Sequence, residues 1–209
     1  MKFQHNPNRL EAFSDGVFAF AATLMVVGFD WGGDFTVLQS QGTSFIAFAV
    51  SFFVLVGFWT VHYNYFRRSG YVDNWIIALN TLLLFVTLYY VFPLKSLVNS
   101  WMGEEKLTLF GLSNLFQWYS LGFALIFMCY ALMYLRAFRK QRSVPKFLVL
   151  LFYARHFGIY VAVAAFSILL TRLQAGVAYG LPGIIYVLLG PLCFAHAHLF
   201  NKKYKLKDP

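Results

Sequence analysis

"RLEAFSDGVFAFAATLMVV", residues 9–27, decides how many times this chain crosses a membrane. Its second half is apolar enough to enter a bilayer, but Arg9, Glu11, Ser14 and Asp15 travel with it. A spanning helix needs roughly 20 mostly apolar residues. The stretch reaches that length only if the charged segment and the apolar segment form one helix. Start signals agree: Asn6 can cap with Pro7 at the first helical position, or Asn8 can cap with Glu11 three residues later. With this stretch included, six segments qualify as spans, at about 7–29, 44–66, 74–97, 111–135, 144–173 and 182–200.

Composition places the whole chain in the membrane. Of its 209 residues, 60% are hydrophobic and 12% charged, where a soluble chain has about 25% charged. The apolar runs are continuous rather than alternating, which reads as helices and not as a barrel. Trp59, Trp75, Trp101 and Trp118 lie near the ends of runs, where amphipathic rings settle at headgroup level. Cys129 and Cys193 sit inside runs, so no disulfide framework is expected. The net charge of +9 does not point to a nucleic-acid partner, because the basic residues cluster just outside the apolar runs.

That clustering also sets orientation. Lys2 and Arg9, then Arg67 and Arg68, then Arg136, Arg139, Lys140, Arg142 and Lys146, then Lys202, Lys203, Lys205 and Lys207 mark alternate ends. The other connections hold Lys95, Lys106 and Arg172 beside Asp30, Asp34, Glu104 and Glu105. Cytoplasmic loops carry the excess of Lys and Arg, so both termini are expected in the cytoplasm, as an even number of spans requires. The fold class is thus an all-α integral membrane protein with six transmembrane helices, multi-pass in the cell (inner) membrane. No linker or repeat divides it, and residues 1–209 read as a single domain. The sequence opens without a secretory signal pattern, so the N-terminus is read as mature. In the sixth segment, Pro182, Gly183, Gly190 and Pro191 predict a kink rather than a broken helix.

Polar residues recur at one depth. With a rise of 1.5 Å per residue, Asp15 lies about 12 Å from a helix start near Pro7, His62 about 7 Å above Arg67, and Asn80 about 9 Å above Asn74. Ionisable groups so deep face a bundle interior or a wet cavity and mark either a site or an obligatory polar network. Arg155 could reach the same layer; for it and for His156, a helix–helix contact or snorkelling is the plainer reading. On the first helix, Phe20, Leu24 and Val27 form an i, i+4, i+7 stripe, and Asp15 points about 140° away from Phe20. One face carries anchors and the other is apolar.

These residues resemble the transmembrane protein 175 family of potassium channels, in its prokaryotic six-helix branch. The family signature R-x-x-x-F-S-D is matched by Arg9, Phe13, Ser14 and Asp15, and "GVFAFAATLMVV" follows it. "FWTVHYNYF" resembles a W-x-x-H pattern through Trp59 and His62, and "IALNTLLLF" with Pro93 resembles a third-helix L-N segment and later proline. The likeness covers roughly residues 7–95; the later helices fit in number and charge. It implies a homotetramer whose first helix, about 7–29, lines a central pore. Phe20, Thr23, Leu24 and Val27 would form the constriction, while Arg9, Phe13, Ser14, Asp15, Trp59, His62 and Asn80 would form the polar network behind it. The chain departs from the family where isoleucine usually stands at Phe20, leucine at Val27 and an acidic residue at Gly28. A phenylalanine ring narrows a four-fold constriction, and a valine ring loosens one.

The expected function is passive, potassium-preferring conduction of monovalent cations through hydrophobic rings, with the lipid bilayer as the other partner. No T-V-G-Y-G carbonyl filter and no arginine ladder occurs in the sequence. No cofactor is expected, and no metal beyond potassium in transit. Asp30 and Asp34 either concentrate cations at the outer mouth or form an ordinary solvated loop. The alternative is a small secondary transporter or proton pathway using Asp15 and His62, since histidine titrates near pH 6.5. An enzyme or haem protein is disfavoured: His196 and His198 point to different faces of a helix, and no HExxH spacing occurs among the histidines.

Overall fold

The computed structural model describes residues 6–27, 42–101, 107–141 and 147–204. Asp30 and Asp34 lie outside them. The described residues are helical with short connections: α1 (Pro7–Val27), α2 (Gly42–Ser69), α3 (Asn74–Trp101), α4 (Leu109–Lys140), α5 (Phe147–Arg172), a 3-10 turn (Val177–Tyr179), then α6 (Leu181–Ile184) and α7 (Leu189–Tyr204) joined by a 3-10 segment (Ile185–Leu188).

Local chemistry fixes where each helix starts and stops. Asn6 Oδ1 accepts the Asn8 N–H at 3.0 Å, with Pro7 first in the helix, so the first of the two capping choices is the one used. The charged and apolar parts of the opening stretch form one continuous helix of 21 residues, about 31 Å long. Among the described residues five runs are long and apolar enough to cross a membrane, from Phe45–Ser69 to Leu181–Tyr204; α1, with Arg9, Glu11 and Asp15 in its first half, is not one of them. Gly70 ends α2 in the left-handed region (φ +57°) and donates to the Phe66 carbonyl at 3.1 Å, a conformation glycine adopts without strain. Asp73 caps α3 by accepting the Ile76 N–H at 2.9 Å. Thr108 does the same for α4 through the Gly111 N–H at 3.1 Å.

The last span differs from the expected simple kink. Its helical path is continuous but tightens to 3-10 geometry over Ile185–Leu188, just ahead of Pro191. Proline has no N–H to return to the carbonyl four residues back, here that of Val187, and a tightened turn accommodates the missing bond.

Aromatic packing holds α4 against α5. Phe123, Phe127, Tyr130 and Tyr134 recur at i, i+4, i+7 and i+11 along α4, and Tyr153, Phe157 and Tyr160 repeat that stripe on α5. Their rings interleave: Phe127 to Tyr160 at 4.4 Å, Tyr130 to Phe157 at 5.7 Å and Tyr134 to Tyr153 at 5.3 Å between centroids. Each such pair contributes about 0.5–1.5 kcal/mol beyond its buried area. Tyr130 also donates to the Phe58 carbonyl of α2 at 2.9 Å. Gly122 lets α3 close in, since a Cβ there would lie 2.5 Å from the Tyr90 ring. Cys129 is buried in this block and Cys193 is half-buried; both are free thiols.

At one end of the bundle, an ion pair locks the α2–α3 connection to α4. Arg136 Nη2 lies 2.8 Å from Asp73 Oδ2, and the Tyr71 hydroxyl donates to the same oxygen at 2.9 Å. Gln141 Nε2 donates to the Ser69 carbonyl at 2.9 Å. Burial pushes the Asp73 carboxyl up. The Ile76 N–H, Arg136 and Tyr71 together outweigh that effect and hold it below the ordinary carboxylate value. A carboxyl with a lowered folded pKa stabilises the fold above its unfolded value, about 3.9, and loses that contribution as pH falls through the folded pKa. The melting temperature of detergent-solubilised protein should therefore be insensitive to this pair down to about pH 5 and drop below about pH 4. Asp73→Asn should remove that acid-dependent step and cost about 1 kcal/mol at neutral pH, because the pair is partly solvated.

Candidate functional site

The site is built on α1. Ser14, Phe18, Ala21 and Met25 recur at i, i+4, i+7 and i+11 and are all buried against α2 and α3. The opposite face carries Phe13, Gly16, Phe20 and Thr23 and is uncovered in the single chain, with Phe13 63% and Phe20 57% exposed. Leu24 is half-buried at the edge of that face. Val27 is the last residue of α1, and its side chain lies outside the described residues.

Behind the uncovered face, three helices meet in a short hydrogen-bonded chain with no solvent exposure at any member. Ser14 donates to the Leu10 carbonyl at 2.8 Å and accepts from Asn80 Nδ2 at 2.9 Å. Asn80 Oδ1 meets His62 Nε2 at 2.8 Å. Because the Asn80 amide nitrogen is spent on Ser14, its oxygen is the acceptor, so His62 carries its proton on Nε2. His62 Nδ1 is then a buried acceptor with no hydrogen-bond partner among the described residues. The imidazole is walled by Phe18 and Phe66, at 5.4 and 5.0 Å between centroids.

A second contact fastens α1 to α2 nearer the surface. Trp59 Nε1 donates to Asp15 Oδ1 at 2.8 Å, at the side of a groove of about 240 Å³ left between the helices by Ala19 and Ala22. No hydrogen bond joins Asp15 to His62. The five residues Ser14, Asp15, Trp59, His62 and Asn80 thus form two neighbouring contacts rather than one network. Arg9 and Phe13 stay outside both: each is exposed, and Phe13 shares the uncovered face with Phe20. Arg155 is exposed on α5 and does not enter the layer.

Thr23 has its own arrangement. Its hydroxyl donates to the Phe20 carbonyl at 2.7 Å, one turn back. The donor is used, so what the oxygen has left to present is lone pairs, the polarity a cation needs.

Two groupings were not anticipated from sequence. The Asp73 cap had a local signal, an acidic residue immediately before a helix start with its third following N–H free. His156 and His196 had none. They lie 40 positions apart and face each other between α5 and α7 with ring centroids 5.7 Å apart, sharing the Phe152 ring. Among the described residues, no three His, Cys, Asp or Glu side chains gather where they could hold a metal ion.

Known proteins share both the sequence and the fold. Residues 9–93 match the family described as "Endosomal/lysosomal potassium channel TMEM175". A curated potassium channel of Marivirga tractuosa is 37% identical over 148 residues, 64% of this chain and 60% of the relative. One of Streptomyces collinus is 37% identical over 104 residues, 47% of this chain and 50% of the relative. The chain therefore spans about half to three-fifths of the length of these relatives. A crystal structure of a variant of the potassium channel MtTMEM175, in complex with a nanobody–MBP fusion protein, superposes with a TM-score of 0.80 at 27% identity. That superposition covers 96% of this chain and 95% of the other. The crystal structure of a lysosomal potassium-selective channel TMEM175 homologue from Chamaesiphon minutus gives a TM-score of 0.58 at 25% identity, over 89% of this chain and 99% of that one.

Proposed function

We propose that the chain, which resembles the TMEM175 family over residues 9–93, is a potassium-preferring cation channel whose pore is lined by α1. In this reading residues 1–209 form one channel domain, four copies surround the pore, and both termini face the cytoplasm of a cell whose inner membrane holds the protein. The observation that carries it is the two-sidedness of α1: one face is buried through Ser14, Phe18, Ala21 and Met25, while Phe20 and Thr23 stand uncovered in the single chain. Closed rings of four identical subunits bring four copies of such a face together around the symmetry axis.

Conduction then works without a carbonyl filter. Rings of Phe20, Leu24 and Val27 make a narrow apolar passage through which a cation must shed water, and a larger, weakly hydrated ion loses less than a smaller one. Apolar constrictions also gate by dewetting. Thr23 places a hydroxyl oxygen, turned to accept, between the first two rings. Asp15 bonded to Trp59, and Ser14, Asn80 and His62 bonded in series, hold the back of the lining helix. Arg9 and Phe13, exposed on the pore side of α1, would stand at its inner approach.

Purified protein in a planar bilayer, with potassium on one side and sodium on the other, should carry unitary currents that reverse toward the potassium equilibrium potential. Saturating flux coupled to a gradient, without unitary currents, would instead support a transporter or proton pathway through Asp15 and His62. The geometry gives that rival little, because Asp15 and His62 share no hydrogen bond and so no direct proton path.

A further inference from the structure

A second polar site lies away from α1, at the end of the bundle that carries the Asp73–Arg136 lock. Asn64, Arg67 and Arg68 occupy i, i+3 and i+4 on α2 and therefore share one face. With Val149 of α5 they line an open pocket of about 390 Å³. Arg68 is held in place from two sides: its guanidinium stacks 3.9 Å from the Tyr153 ring centroid, and Nη1 donates to the Tyr134 hydroxyl at 3.3 Å. Arg67 lies 5.3 Å from the Tyr63 ring. Each guanidinium carries five N–H donors, and the Tyr134 hydroxyl is the only acceptor either one reaches among the described residues. No carboxylate neutralises them: the one ion pair among the described residues is Arg136 with Asp73.

Two unneutralised guanidiniums at one pocket, Arg68 anchored by Tyr134 and Tyr153 and Arg67 free to swing in beside it, suit a tetrahedral oxyanion, because the planar fork matches phosphate geometry. The pocket's level says where the phosphate comes from. Trp75, 65% exposed, opens the next helix at this end, and the Tyr63 ring is partly exposed beside Arg67; such rings settle at the headgroup boundary of a bilayer. The pocket is polar along α2 and apolar at Val149, which is itself 40% exposed on the outer side of α5. A phosphate seated there would have its glycerol and acyl chains leaving along an apolar helix surface.

We propose that the Asn64–Arg67–Arg68 pocket binds the phosphate headgroup of an anionic phospholipid. The site rests on the chain spanning the membrane with this end at the bilayer surface, and not on its conducting ions. A lipid assay and a current assay can therefore fail separately. Basic pockets between transmembrane helices recognise anionic headgroups in this way, each arginine adding a modest increment.

The test is native mass spectrometry of the full chain in detergent, titrated with palmitoyl-oleoyl phosphatidylglycerol or phosphatidylcholine. Phosphatidylglycerol should be retained on the order of tenfold more than phosphatidylcholine. Arg67→Gln combined with Arg68→Gln should abolish that preference, whereas Lys202→Gln with Lys203→Gln, removing the same charge from the end of α7, should leave it intact. Arg67→Gln alone touches an exposed side chain with no hydrogen bond, so it folds regardless and should lower retention roughly fivefold. Equal retention by wild type and the Arg67 variants, or an equal loss in the Lys202 and Lys203 variant, overturns the site. Displacement of the lipid by millimolar inorganic phosphate, with phosphate itself bound, overturns the lipid assignment and leaves a soluble-phosphate site.

Discussion

Asn80→Ala is expected to lower the unfolding free energy by about 2–3 kcal/mol in detergent, the combined effect of an orphaned buried donor and a small cavity. The donor is His62 Nε2–H, which has Asn80 Oδ1 as its acceptor and no route to water, since both residues are fully buried. Ser14 fares better, because its hydroxyl keeps the Leu10 carbonyl. Ser14→Ala should therefore cost less by itself, leaving only Asn80 Nδ2 without its acceptor. The two losses share one hydrogen bond, so the double variant should be destabilised by less than the sum of the singles. Thr81 supplies the control: it is one residue along, exposed, and bonded only within its own helix to Ile77. Hydrogen bonds between membrane helices are often worth under 1 kcal/mol, and equal melting of the Asn80 and Thr81 variants would mean that this chain of bonds does not hold α1.

Much of this arrangement could be read from the sequence, for physical reasons that differ by residue. Depth follows from a constant rise per residue, so Asp15, His62 and Asn80 are legible in the sequence as one layer. Which of them bond directly is not, because side-chain pairing depends on the rotation of three helices about their axes. The family resemblance placed Arg9 beside Asp15 in one network; rotation sends Arg9 to the uncovered side and Asp15 to Trp59. The two-faced pattern of α1 was legible through its 3.6-residue period, and the buried stripe Ser14–Phe18–Ala21–Met25 is its complement. The tightened turn before Pro191 needed backbone geometry, since proline says where a bond is missing and not how the helix absorbs it. His156 beside His196, and Arg68 on Tyr153, join residues 40 and 85 positions apart with no local period to announce them.

Phe20→Ala should produce the largest functional change, because it alters a proposed constriction without disturbing the fold. Phe20 is 57% exposed and contributes little to the core of the single chain, so truncating it leaves the buried face of α1 untouched. Phe18, two residues away, turns about 200° around the helix and is 5% exposed, packed edge-on against His62. Phe18→Ala should therefore cost about 3–5 kcal/mol of stability, whereas Phe20→Ala should cost a small fraction of that and act on current. A phenylalanine ring around a four-fold axis is a dewetting barrier, and each 1.4 kcal/mol taken off such a barrier is worth about tenfold in rate. Unitary conductance in Phe20→Ala should rise by about that order, and potassium preference should fall, since a wider ring lets smaller ions keep more of their water. The pairing of the two variants makes the outcome specific to one face of one helix. Unchanged conductance in a well-folded Phe20→Ala channel would move the constriction away from Phe20, to Leu24 as the next apolar ring along α1. Loss of folding in both variants would mean that the face left bare in the single chain is packed in the assembly, and that it does not line an ion path.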